Sequence, residues 1–117
     1  MKVLFLDDDP NRMKYARLYF SKDELSEAET AEQAIKMLEK YSPYDLVLLD
    51  HDLGGKVYCP SDEVSGYAVA KHISEMPKEK LPLRVVIHSF NPAGAENMIR
   101  VLRGIVPLAR QPFNLAI

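Results

Sequence analysis

The stretch Asp45-Leu-Val-Leu-Leu-Asp-His-Asp52, followed at once by a leucine and two glycines, decides the fold. Its four consecutive large apolar residues predict a strand that is buried on both faces, as in a parallel sheet covered by helices. We expect this strand to be the central one. Asp50, His51 and Asp52 follow at its carboxyl end, which is the edge of an α/β sheet where ligands usually bind. The sequence therefore places two carboxylates and an imidazole at the expected ligand-binding edge.

Length, charge and cysteine content limit the classes of protein to which this chain can belong. Its 117 residues correspond to a single domain over residues 1–117. A net charge of -2 gives no basic surface for duplex nucleic acid, so a phosphate ligand would have to be held locally. The one cysteine, Cys59, excludes an internal disulfide, and no apolar run is long enough to span a membrane. We expect a cytoplasmic protein without a membrane partner.

Strand-like and helix-like segments alternate along the whole chain. The predicted strands are Lys2–Leu6, Leu25–Glu29, Leu46–Leu49, Leu83–Ile87 and Ile105–Ala109. The predicted helices run from Pro10 to about Phe20, from the Thr30 cap to about Tyr41, from Gly66 to Met76, and from Pro92 to just before Gly104. Asp9 and Asn91 are the predicted caps of the first and last of these helices. This alternation predicts a doubly wound, flavodoxin-like parallel α/β sheet of five strands in the order 2-1-3-4-5.

Acidic residues follow the first strand as well as the central one, and these two strands flank the topological switch point of such a sheet. Three or four carboxylates at one place would repel each other and raise each other's pKa, so a bound cation is expected to stabilise them. An oxygen-rich cluster suits a hard ion, above all Mg²⁺ and alternatively Mn²⁺. The predicted metal ligands are Asp7, Asp8, Asp50 and Asp52.

Two histidines are expected at the same edge, since His51 follows Asp50 and His88 ends the fourth strand. Imidazoles titrate near neutral pH, so one could activate water and the other could protonate a leaving oxygen. The competing interpretation is that each ring only satisfies a structural hydrogen bond. Phosphate oxygens could be held near the start of the following helix, and the candidates are Ser89, Asn91, Gly94 and Asn97. The long predicted loop from Gly54 to Ser65 lies beside this edge, where it could close over a ligand.

These residues resemble the receiver domains of response regulators over nearly the whole chain. Phe5-Leu-Asp-Asp-Asp-Pro10 is similar to the receiver's acidic pair, Asp50 to its phosphoacceptor, and Ser89 to its hydroxyl residue. Arg110-Gln-Pro-Phe113 is similar to its Lys-Pro-Phe motif, but Gln111 stands where the phosphate-binding lysine is expected. A final helix is expected to be short or missing, because the sequence stops soon after this motif.

A narrower resemblance is to the cyclic-phosphate-processing receiver domains met in phage and bacterial proteins. It is carried by Leu49-Asp-His-Asp-Leu-Gly54, by Gly66-Tyr67, and above all by Ile87-His-Ser-Phe-Asn-Pro-Ala-Gly-Ala-Glu-Asn-Met98. The resemblance implies a small phosphorylated ligand, such as a cyclic nucleotide or an RNA end. With the two histidines, it leads to the hypothesis of a metal-dependent phosphoesterase that opens a cyclic phosphate, with His51, His88 and Asp50 as the catalytic residues.

Other functions remain open from the sequence. The chain could be a phosphorelay receiver or pseudo-receiver that docks onto a protein partner and accepts phosphate on Asp50. It could also bind a nucleotide without turnover, because a phosphate site need not cleave its ligand. A third alternative, ranked last, is a phosphatase of the haloacid dehalogenase type with Asp7 as nucleophile and Asp9 as acid.

Overall fold

The computed structural model describes residues 1–54 and 59–112. Within these ranges strands and helices alternate as the sequence predicts, with one added 3-10 helix at Lys78–Lys80. The strands are β1 (Lys2–Leu6), β2 (Glu24–Ala28), β3 (Leu46–Leu49), β4 (Val85–Ile87) and β5 (Leu108–Arg110). The α-helices are α1 (Pro10–Tyr19), α2 (Ala31–Tyr41), α3 (Gly66–Ser74) and α4 (Pro92–Leu102).

The five strands form one parallel sheet in the order β2-β1-β3-β4-β5, which confirms the predicted topology. The register of the strands determines which residues meet at the edge of the sheet. Leu6 pairs with Leu49, and Leu49 pairs with Ile87, so three neighbouring strands end at the same height. The next residues along the chain, Asp7, Asp50 and His88, therefore leave the sheet side by side.

Three of the helices begin with the caps that the sequence predicts. The Asp9 carboxylate accepts hydrogen bonds at the start of α1, Thr30 caps α2, and the Asn91 side chain accepts from a backbone N–H of α4. Pro10 and Pro92 occupy the first turns of α1 and α4, where a missing N–H has no cost. These caps fix where α1 and α4 start relative to the sheet edge.

The two faces of the sheet carry separate parts of the core. The larger part packs Leu4, Leu6, Val47 and Leu49 against α2, α3 and α4. The smaller part lies under α1 and consists of Val3, Phe5, Met13, Ala16 and Phe20. This division follows from the strand period of two, which sends alternate β1 side chains to opposite faces.

The expectation that β3 is buried on both faces was wrong for one of them. Val47 and Leu49 are fully buried, but Leu46 and Leu48 are only partly buried under α1. Among the residues that the structure describes, α1 is the helix that packs on this face, and a single helix does not cover all of β3. The predicted short or missing final helix concerns residues 113–117, which lie outside the described ranges.

Several element boundaries also differ from the prediction. Strand β2 starts one residue earlier than expected, β4 starts at Val85 rather than Leu83, and α3 ends two residues before Met76. The largest shift is at β5. Gly104 has a φ of +81°, and the backbone N–H groups of Ile105 and Val106 donate to the Leu102 carbonyl. These two residues therefore form a turn and not the start of the strand. In the described residues, no helix has the length and apolarity that crossing a bilayer requires.

Gly66, the first residue of α3, packs directly on the end of β3. A Cβ at this position would lie 1.7 Å from the Asp50 carbonyl oxygen, while the Gly66 N–H donates to the His51 carbonyl at 2.8 Å. Only a residue without a side chain fits here, because the obstacle is backbone.

We therefore expect Gly66→Ala to lower the free energy of unfolding by about 3 kcal/mol, the upper end of typical overpacking costs. Gly104→Ala is the matched control, since its Cβ would meet open space and its left-handed φ alone should cost about 1 kcal/mol. Urea denaturation of both variants measures the difference. Equal stabilities would contradict the close contact between α3 and β3.

Candidate active site

The first group at the sheet edge, which we call the carboxylate site, consists of Asp7, Arg12, Asp50 and His88. Arg12 donates from Nε to Asp7 Oδ2 at 2.7 Å and from Nη2 to Oδ1 at 3.1 Å. The same guanidinium lies 3.7 Å from Asp50 Oδ2. His88 Nε2 lies 3.1 Å from Asp7 Oδ2, and its ring stacks on Phe5 at 4.9 Å between centroids. Both carboxylates are buried, so their charges interact in a medium that screens them weakly.

The two carboxylates respond differently to this environment. Burial alone would raise the pKa of Asp7, but hydrogen bonds from His88 and Arg12 hold it below its ordinary value. Burial raises the pKa of Asp50 to about 8, and the adjacent Asp7 carboxylate adds to the rise. Asp7 therefore carries the negative charge, while Asp50 keeps a proton near neutral pH unless a further cation approaches.

The residues of the carboxylate site fit a hard divalent cation. One potential ligand atom from each of Asp7, Asp50 and His88 lies within 4.8 Å of the other two. Carboxylate oxygens are the ligands that Mg²⁺ and Mn²⁺ prefer. A cation here would offset the cost of ionising Asp50, but Arg12 already pairs with both oxygens of Asp7 and would compete for them. The structure thus brings together two of the four predicted ligands.

The other two predicted ligands, Asp8 and Asp52, are not among the residues of the carboxylate site. Asp52 belongs to a separate group with His51 and Cys59. Asp8 is partly buried beside Asp9, which caps α1. Consecutive residues at the end of β3 therefore belong to two neighbouring groups, and a metal role for all four predicted ligands stays a prediction.

The second group, which we call the serine network, contains Asp52, His51, Ser61, Asn91 and Asn97. His51 is completely buried. Its Nδ1 lies 2.8 Å from Asp52 Oδ1, and its Nε2 lies 2.8 Å from Ser61 Oγ. The described end of the predicted loop thus packs directly against this histidine, whereas residues 55–58 of that loop lie outside the described ranges.

The predicted phosphate-binding residues line the same region and contact protein groups. Ser89 is buried and its hydroxyl accepts from the Asn91 N–H at 3.0 Å. The Asn91 amide donates to Asp52 at 3.0 Å, and the Asn97 amide donates to Ser61 Oγ at 2.9 Å. Gly94 lies against the ring of His51. The four residues predicted for phosphate therefore lie in or beside the serine network, and their binding of phosphate stays a prediction.

Two residues of these groups were missed by sequence reasoning. Arg12 follows Asp7 by five residues and enters the carboxylate site from the first turns of α1. Its position three residues after the Asp9 cap could have indicated that its side chain lies near the acidic residues. Arg12 supplies the positive charge that the sequence assigned to a metal. Ser61 lies in an aperiodic segment, where no sequence pattern indicates the contact with His51.

Comparison with solved structures places this fold among receiver domains. The chain aligns over 98% of its length with the receiver domain of a Francisella response regulator, at 20% identity, 87% coverage of that chain and a TM-score of 0.65. A receiver domain of a sensor histidine kinase from Pseudomonas aeruginosa gives a TM-score of 0.66 at 18% identity, with 98% and 88% of the two chains covered. That protein was solved with a magnesium ion coordinated in its active-site cleft.

The parallel sheet in the order 2-1-3-4-5, with acidic residues at the ends of β1 and β3, defines a receiver-type domain. A family model described as the cyclic-phosphate processing receiver domain matches residues 2–104. The chain therefore belongs to this family. Among proteins with curated descriptions, none matches the chain significantly.

The raised pKa of Asp50 predicts how stability depends on pH. Folded Asp50 holds its proton up to about pH 8, whereas the unfolded side chain loses it near 3.8. Its contribution to stability is therefore full below about pH 4 and is lost as the pH rises through 8. Asparagine cannot ionise, and its Oδ1 can still accept the His51 N–H that Asp50 accepts at 2.9 Å. We expect Asp50→Asn in EDTA to melt at least about 4 °C higher than wild type at pH 8.

Thermal melts at pH 5 and pH 8 measure this difference, which should shrink at the lower pH. Glu79→Gln, a change at an exposed residue of the 3-10 helix, serves as the control and should follow wild type. An Asp50→Asn variant with the wild-type dependence on pH would contradict the account of the carboxylate site.

Proposed function

We propose that this receiver domain opens cyclic phosphates, on nucleotides or at RNA ends, with the help of a divalent cation. The observation that carries the proposal is a pair of histidine–carboxylate contacts at one sheet edge, His88 with Asp7 and His51 with Asp52. A carboxylate that bonds one ring nitrogen orients the imidazole and fixes its tautomer. Membership of the cyclic-phosphate processing family supports the class of substrate.

The reaction requires two proton transfers. A water oxygen attacks phosphorus, the new P–O bond forms, and the P–O bond to one ribose oxygen breaks. One histidine accepts the proton of the water, and the other donates a proton to the departing ribose oxygen. His51, which is buried, acts through the Ser61 hydroxyl that bonds its Nε2. Positioned acid–base groups of this kind accelerate a reaction by about 10²–10⁴-fold.

The cation would be held by Asp7 and Asp50, with Asp8 and Asp52 as further predicted ligands. When bound, it would neutralise charge on the phosphate as the reaction proceeds. Arg12 offers a guanidinium at the same place, and guanidinium groups bind phosphate oxygens bidentately. Ser89, Asn91, Gly94 and Asn97 remain the candidates for the remaining phosphate contacts, near the start of α4.

A second candidate function is phosphoryl transfer to Asp50. It is favoured by the position of Asp50, which directly follows the central strand beside Asp7, as the resemblance to phosphoacceptors implies. Against it, Gln111 directly follows β5 and stands where receivers carry a lysine. Its backbone N–H donates to the Ile87 carbonyl at 2.9 Å. We rank it below hydrolysis for this reason.

The test is phosphorus NMR of the protein with Mg²⁺ or Mn²⁺ and a mixture of 2′,3′- and 3′,5′-cyclic nucleotides. We expect a phosphomonoester product, and at least about a 100-fold slower reaction in the double variant His51→Ala/His88→Ala. His72→Ala, which changes a histidine on α3, is the matched control and should keep the wild-type rate.

Equal rates in wild type and the double variant would remove the proposal, as would the absence of any product. In the latter case, line broadening of a cyclic nucleotide would indicate binding without turnover. Acetyl phosphate added to the same sample tests the second candidate. An aspartyl-phosphate resonance that is missing in Asp50→Asn would favour the receiver function.

A further inference from the structure

His51 can reach a ligand only through another residue. The ring is completely buried, and both of its nitrogens contact protein groups, Asp52 on one side and Ser61 on the other. One ring face is closed by Gly94, where an added Cβ would lie 2.4 Å from the His51 Cγ. Among the residues that the structure describes, the group that contacts His51 Nε2 is the Ser61 hydroxyl.

The directions of the hydrogen bonds around Asp52 follow from a backbone donor. The Gly94 N–H donates to Asn91 Oδ1 at 3.0 Å, so the Asn91 Nδ2 must face Asp52. Asp52 Oδ1 also accepts from the Cys59 thiol at 3.2 Å. Because an ionised carboxylate only accepts, the His51 Nδ1 carries the proton of their 2.8 Å contact. In the neutral imidazole, Nε2 is then an acceptor.

The same reasoning orients the hydroxyl of Ser61. Arg100 donates from Nη1 to Asn97 Oδ1 at 3.3 Å, which turns the Asn97 Nδ2 towards Ser61 Oγ. Since the hydroxyl oxygen accepts from Asn97, its own proton is directed at His51 Nε2, 2.8 Å away. Nucleophile, base and orienting carboxylate thus stand in the order that activates a serine.

Ser61 also faces open space. A cavity of about 410 Å³ is lined by Ser61, Tyr67, Asn97, Arg100 and Val101. This volume lies within the range of small-molecule sites, which is roughly 300–1,000 Å³. Tyr67 and Val101 offer an apolar wall. Within residues 1–54 and 59–112 no carboxylate pairs with Arg100, so its charge can serve an anionic ligand.

We propose that Ser61 is a nucleophile, activated by His51 and Asp52, for an anionic phosphoester bound in this cavity near Arg100. The substrate class rests on the proposed function, whereas the nucleophile rests on the geometry alone. Ser61 Oγ bonds to phosphorus and the P–O bond to one ribose oxygen breaks. The serine proton passes to His51 Nε2, while the departing ribose oxygen, which lies opposite the attacking serine oxygen, takes a proton from solvent. His51 returns its proton to the serine oxygen in the second step. Water then cleaves the Ser61–phosphodiester, which returns the hydroxyl and releases the phosphomonoester.

The test is labelling of the full chain with an alkyl fluorophosphonate, which loses fluoride when a serine oxygen attacks its phosphorus. Peptide mass spectrometry should find the adduct on Ser61 and not on Ser65, a buried serine of the same segment that caps α3. Labelling should vanish in Ser61→Ala and slow by about 100-fold in Asp52→Asn, which removes the orienting carboxylate. Circular dichroism melts verify that both variants are folded.

A second measurement compares turnover of cyclic nucleotides, for which Ser61→Ala should be inactive and Arg100→Gln should raise KM with little change in kcat. No adduct on Ser61, or equal labelling of wild type and Asp52→Asn, would overturn the proposal. Full turnover by Ser61→Ala would overturn it too, while leaving the proposed function intact. Specific labelling without cyclic-phosphate turnover would support the nucleophile and reject the proposed substrate.

Discussion

Two buried carboxylates on neighbouring strands impose the constraint on which the rest of the site depends. Strands β1 and β3 end in register, so Asp7 and Asp50 leave the sheet together and neither reaches bulk water. Two ionised groups cannot share such a place without positive charge nearby. Arg12 supplies that charge mainly to Asp7, and His88 adds a second hydrogen bond. Asp50 is left with a strongly raised pKa and a capacity for a further cation.

Close backbone packing surrounds the two residues that join this site to the serine network. Asp50 and His51 are consecutive, but Gly66 touches the carbonyl of the first, and Gly94 covers the ring of the second. The starts of α3 and α4 therefore approach the end of β3 more closely than a side chain would allow. His51 is completely buried here, and Ser61, which contacts its Nε2, also lines the cavity. One strand end thus supplies residues to both the carboxylate site and the serine network.

The sequence predicted those features that depend on local patterns. Strand order, the common edge and the caps at Asp9, Thr30 and Asn91 all follow from periodicity and from residue types with local preferences. The sequence did not predict the partners of the site residues. Arg12 and Ser61 reach their partners through the docking of α1 and of an aperiodic loop, and such tertiary contacts leave no periodic signal.

A titration with Mn²⁺, monitored through the electron paramagnetic resonance signal of the free ion, tests most directly whether the Asp7–Asp50 pair binds a cation. We expect one ion to bind per wild-type chain and binding to be lost in Asp50→Asn. Arg12→Gln should bind the ion more tightly than wild type, because the guanidinium no longer competes for Asp7. Equal binding by wild type and Asp50→Asn, or no binding at millimolar Mn²⁺, would contradict this account of the site.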